Sequence, residues 1–241
     1  MTQLSAAFKR FEDRLSEIAH LRKIAEKYTH LPVIISESDQ AAHTNALVRA
    51  GTVLLSSHIQ GFVEDLSDLV VDRLIRDEIA GIKIPDSLRF HATKAAIREI
   101  REATDAAKTI EKMRRYRADY GEILEQNGPI SIKFASSGYK DGFGNPTTSE
   151  IKKFFGRFGI DDFNKRMAGK LKSDWPIVEN AVNQIVDRRN KIAHGDSLAT
   201  LTIGELVDYM KLTRKYASAT DRVVTSHFRL KGCRFWQSGA E

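Results

Sequence analysis

Residues 188–196 read Arg188-Arg189-Asn190-Lys191-Ile192-Ala193-His194-Gly195-Asp196. A guanidinium keeps its charge at any physiological pH, and an imidazole titrates near neutrality. Arg189 and His194, with four residues between them, thus supply an anion-stabilising cation and a proton carrier. Such a pair can work on a phosphodiester without a metal. The spacing by itself is weak. With 20 Arg and 7 His in the chain, about two such pairs are expected by chance. Arg14/His20 and Arg222/His227 also match, so setting must separate the three.

The element carrying the run is a helix over about 175–194, capped by Ser173 or Asp174, with Pro176 tolerated in its first turn and Gly195 just past its end. Its apolar stripe is Val178, Val182, Ile185, Arg189 and Ile192. Arg189 continues that stripe, so it must be paired or must line a pocket or an interface. Arg189 and His194 lie about 140° apart around an ideal helix, while Asn190 and His194 share a side. The groups therefore converge best on a ligand in a groove, or on a second copy across a twofold axis. The plain alternative is a basic helix end with His194 compensating the helix dipole.

The remaining elements are also helical. Residues 3–29 carry an amphipathic stripe from Leu4 to Ile24, stopped before Pro32. A long helix starts at Ser36 or Ser38 and runs to Ala80, with Gly81 beyond it; Gly51 and Gly61 suit close helix packing. Pro85-Asp86 opens a third helix over 87–125, and 127–148 is a loop or small hairpin. Capping boxes at Thr147/Glu150 and Thr202/Glu205 open two more helices, the last ending near 226. The fold class predicted is all-α. The chain reads as a single domain over 1–241, an elaborated bundle with core helices about 38–80 and 174–226, an insert about 82–172, and at most a small hairpin or irregular segment near 127–148.

Composition narrows the classes. A net charge of +6 and a pI near 9.3 fit a polyanion partner as well as a merely basic protein. The lone Cys233 excludes an internal disulfide and a cysteine-cluster zinc site. No signal-peptide pattern and no apolar run of spanning length are present, so a cytoplasmic protein without a membrane partner is expected. His58, between Leu54 and Phe62, reads as a core histidine. Arg114 and Arg115, in the basic run 112–117 with Tyr120 nearby, read as RNA contacts or as a solvated face. The basic-aromatic run 152–158 reads as buried phenylalanines with exposed lysines. The glycine-rich 138–145 loop lacks a phosphate-binding motif, and Asp161-Asp162 reads as a cap.

The stretch RRNKIAHGD, followed by a turn and LTIGELVDYM, resembles the signature of HEPN domains, and 49–74 resembles the long second helix of their RiboL-PSP-type branch. The decoys at 14/20 and 222/227 lack the following Asn and the IAHG ending. The resemblance implies an all-α, metal-independent endoribonuclease with no cofactor. By it, His194 is the general acid/base, Arg189 stabilises the scissile phosphate, and Asn190 positions the phosphate or His194. Arg188 and Lys191 add phosphate contacts. The 2′-hydroxyl is the nucleophile and a 2′,3′-cyclic phosphate the product. It further implies a homodimer with a composite site, a toxin or anti-phage defence role, and an antitoxin or defence-system protein as partner. One departure is Gln60, where relatives carry an acid. A non-catalytic HEPN module binding RNA or a protein is the alternative. In a purely structural protein, Arg189 would instead pair with a buried acid.

Overall fold

A computed structural model describes residues 4–29, 36–124, 128–129 and 138–235. It contains helices α1 (Ala6–Tyr28), α2 (Glu37–Arg76), α3 (Asp86–Arg101), α4 (Ala106–Leu124), α5 (Thr148–Gly156), α6 (Phe163–Leu171), α7 (Trp175–Ala193) and α8 (Ile203–Leu230). No strand occurs among the described residues; the one backbone bridge joins Ala80 and Pro129. The fold is all-α. No described helix is long and apolar enough to cross a membrane.

The longest helix, α2, is the axis of the bundle. Its buried residues come in pairs along the helix, Gly51-Thr52, Leu55-Ser56, Phe62-Val63, Leu66-Ser67 and Val70-Val71. A stripe that wide covers more than one neighbour. Helices α1, α7 and α8 all pack on α2, and α1 also meets α8. Where α1, α2 and α8 meet, a Cβ on Gly51 would lie 3.0 Å from Leu206 Cδ2 and 3.5 Å from Ile18 Cγ2. Glycine there permits the close crossing. Phenylalanines 154, 155, 158 and 163 extend the core from α5 into α6 and are buried, while Lys152 and Lys153 are exposed.

Helix ends differ from the sequence reading in five places, two of them simple: α8 runs on to Leu230 past the expected end near 226, and at the start of α7 Asp174 makes no side-chain cap and pairs with Lys215 instead. The expected stop of α2 at Gly81 moves back to Asp77: Glu78 takes φ +50°, its N–H donates to Ile75 O, and Ile79 N–H donates to Leu74 O. That is a Schellman end in which burial of Ile79 against the core outweighs the strain of a left-handed Glu. The predicted third helix is two, α3 and α4. Asp105 caps α4 by accepting the Lys108 N–H at 2.8 Å, a signal overlooked because no Gly or Pro marks the break. Asp162 precedes α6 but makes no side-chain cap; its carboxylate holds Arg166 instead. Thr147 and Thr202 cap α5 and α8, and the reciprocal Glu bond is complete at Thr202/Glu205. Of the 127–148 segment, 138–147 is irregular with one 3₁₀ turn at Gly138–Lys140; 127 and 130–137 lie outside the described residues.

Candidate functional site

Helix α7 buries Val178, Ala181, Val182, Ile185 and Val186, and its half-buried Asn183 accepts hydrogen bonds from the Thr148 N–H and hydroxyl of α5. Helix α7 ends with His194 as C-cap. Gly195 takes φ +85°, its N–H donates to Ile192 O, and Asp196 N–H donates to Lys191 O. This is again a Schellman end, here on the glycine that the left-handed position favours. The His194 imidazole is left exposed at the helix end, one turn beyond Asn190.

Arg189 is half-buried, as its place in the apolar stripe requires. Its Nε donates to Ser56 Oγ of α2 at 3.4 Å, and a terminal nitrogen donates to Gly144 O at 3.3 Å. Both acceptors are neutral, and no ion pair of Arg189 occurs among the described residues. Among the described residues the guanidinium is thus oriented by two neutral oxygens and by no carboxylate. The buried acid that a purely structural role would place here is not found among the described residues.

The other predicted contacts are placed variously. Arg188 donates to Thr200 O at 2.6 Å and lies 3.9 Å from Glu205. Lys191 pairs with Asp187 at 2.8 Å on the exposed face. Arg114 is exposed on α4, and Arg115 pairs with Asp119 at 3.6 Å; α4 packs on α3, distant from α7. Gln60 stands one turn past Ser56 and donates to Glu64 Oε1 at 2.9 Å, so α2 does supply a carboxylate one turn along. His58 is half-buried with Nε2 3.4 Å from Glu17, and burial, more than that carboxylate can offset, lowers its pKa.

The sequence reading missed Ser56, Gly144 and Arg49. Nothing in their local pattern marks them, since each acts across more than 40 residues. It also missed a groove of about 740 Å³ between α1, α6 and α8, lined by Lys170, Lys211, Arg214, Lys215 and Arg222 together with Glu12 and Asp174. The 188–194 run lies outside that groove, on an open helix end.

An all-α bundle whose helix α7 ends in Arg-Asn-Lys-Ile-Ala-His-Gly defines a class of helical protein with a basic helix end that carries an exposed imidazole. The family model described as RiboL-PSP-HEPN matches residues 9–226, and the chain belongs to that family. HEPN domains are commonly ribonucleases or otherwise RNA-related. No curated protein and no solved structure gave a significant match.

Proposed function

We propose that this chain is a metal-independent endoribonuclease whose site is Arg189, Asn190 and His194, completed by a second copy of the chain. The observation that carries the reading is Arg189: a half-buried guanidinium held by two neutral acceptors keeps its full attraction for an anion. In the reaction, His194 takes the proton from a ribose 2′-hydroxyl, and that oxygen attacks the adjacent phosphorus. The bond from phosphorus to the 5′-oxygen breaks, leaving a 2′,3′-cyclic phosphate and a 5′-hydroxyl. An imidazolium, from the partner copy or the same one, protonates the departing oxygen. Arg189 stabilises the charge that builds on the phosphate, and Asn190 orients phosphate or imidazole. Residues 193–198 are all exposed, which leaves room for a partner copy to approach His194. A toxin or anti-phage defence setting, with an antitoxin or defence-system partner, belongs to the same proposal.

The test is cleavage of structured and single-stranded RNA in EDTA, with end-group analysis for the cyclic phosphate. His194→Ala and Arg189→Ala should each lose roughly 10²–10⁴-fold. A wild type that cuts nothing, or variants that cut as well as it does, overturns the site. Salt-dependent RNA binding without cleavage would identify a non-catalytic binding module instead.

A further inference from the structure

The turn between α7 and α8 follows His194 directly and has no helix to satisfy its carbonyls. Three of them are taken by guanidinium groups from two different helices. One terminal nitrogen of Arg49, on α2, donates to Asp196 O at 2.7 Å and to Ala199 O at 3.2 Å. Arg188, on α7, donates to Thr200 O at 2.6 Å. Asp196 also accepts the Leu198 N–H at 2.9 Å, and Thr200 Oγ1 reaches Asn45 Oδ1 of α2 at 3.5 Å. Charge-assisted bonds of this kind are about twice as strong as neutral ones, and this turn takes three of them.

Gly195, at φ +85°, takes a left-handed conformation that a glycine adopts without strain, and it separates His194 from the clamped carbonyls. No Cβ-sized contact surrounds it. Side-chain packing therefore does not fix this joint; the Asp196 N–H bond back to Lys191 O spans it, and the arginines hold the chain beyond it. We infer that Arg49 is a positioning residue for His194, holding the Gly195–Thr200 turn so that the imidazole projects at a set angle from the end of α7. The inference rests on the proposed ribonuclease reading for its catalytic consequence, but the clamp stands on geometry alone. Arg188 shares the task, so its guanidinium is spent on the turn as well as on Glu205 rather than left free for phosphate.

The experiment compares Arg49→Ala and Arg49→Lys with wild type in two readouts. The first is amide exchange at Gly195 and Asp196, whose N–H groups bond Ile192 O and Lys191 O, referenced to Leu206 in α8. The second is RNA cleavage resolved into kcat and KM. Arg49→Ala should raise exchange at 195–196 selectively and lower kcat roughly tenfold with KM unchanged. Arg49→Lys, which can still reach one carbonyl, should recover part of both. Unchanged exchange at 195–196 overturns the clamp whatever the cleavage shows. A raised KM with a shallower salt slope and intact kcat also overturns it, because Arg49 would then be an RNA contact. A wild type without cleavage removes the ribonuclease reading and the catalytic consequence with it, and exchange still decides the clamp.

Discussion

Two Arg-to-His pairs with the same four-residue gap sit on neighbouring helices and are inverted in their burial. In α7, Arg189 points toward the core and His194 is exposed; in α8, Arg222 is exposed and His227 is half-buried. His227 packs edge-on against Phe228, 5.1 Å between centroids, and its Nδ1 is 3.5 Å from Arg166. Burial first, then the Lys231 and Arg166 charges, push its pKa down to about 4, against the weaker pull of Asp162 and Asp161. A ring held neutral in that way cannot trade protons near pH 7. Arg222, meanwhile, faces a groove already crowded with cations. Identical spacing therefore yields an anchored cation beside an accessible imidazole in one place, and a solvated cation beside an inert imidazole in the other. The phase of each pair against the core decides the outcome.

The sharpest way to break this comparison is to exchange the roles. His194→Ala should abolish RNA cleavage by the roughly 10²–10⁴-fold expected for an acid–base group, whereas His227→Ala, purified and shown folded, should stay within about threefold of wild type. Equal losses would erase the distinction.

The surroundings of the α8 pair should show in stability rather than activity. Asp221, next to Arg222, is fully buried and accepts hydrogen bonds from the backbone N–H and hydroxyl of Ser5. Burial raises its pKa to about 6, against the lowering effect of those bonds and of Arg222. An acid whose folded pKa is raised stabilises the fold most below its unfolded value near 3.9, and that contribution is lost as pH rises through about 6. Asp221→Asn should therefore gain about 2 kcal/mol in urea unfolding at pH 7.5 and almost nothing at pH 4. A loss at pH 7.5 would mean that the ionised carboxylate is needed to dock the start of α1.

His227 has the opposite slope. A histidine with a lowered folded pKa contributes stability above its unfolded value near 6.5, which drains away as pH falls toward about 4. With discounting for the part of the ring that meets water, His227→Gln should remove about 1–2 kcal/mol of the acid-side slope between pH 6.5 and 4. Unfolding curves at those two pH values measure it, and an unchanged slope would place the acid sensitivity elsewhere.

At the helix ends the effects are smaller. Gly195→Ala meets no steric contact but must take a left-handed φ, which should cost about 1 kcal/mol in thermal unfolding. Lys191→Ala loses one exposed ion pair with Asp187 and should change stability by under about 0.5 kcal/mol.

Much of this was written locally. The stop of α7 at Gly195, the Thr202/Glu205 capping box and the inward phase of Arg189 follow from periodicity and capping chemistry, which act within a turn or two of the chain, though the expected cap at the start of α7 is not made. The end of α2 and the break between α3 and α4 did not, because at the first the left-handed residue is Glu78, ahead of Gly81, with Ile79 buried behind it, and at the second Asp105 caps with no Gly or Pro to mark the break. What only the tertiary structure decided is what meets the motif from far away: Ser56 and Gly144 orienting Arg189 with neutral oxygens, Arg49 and Arg188 fastening the turn after His194, and the crowding that silences His227. The reason is physical. Periodicity sets which way a side chain points, but the charge and polarity it meets come from segments whose approach is fixed by packing of the whole core.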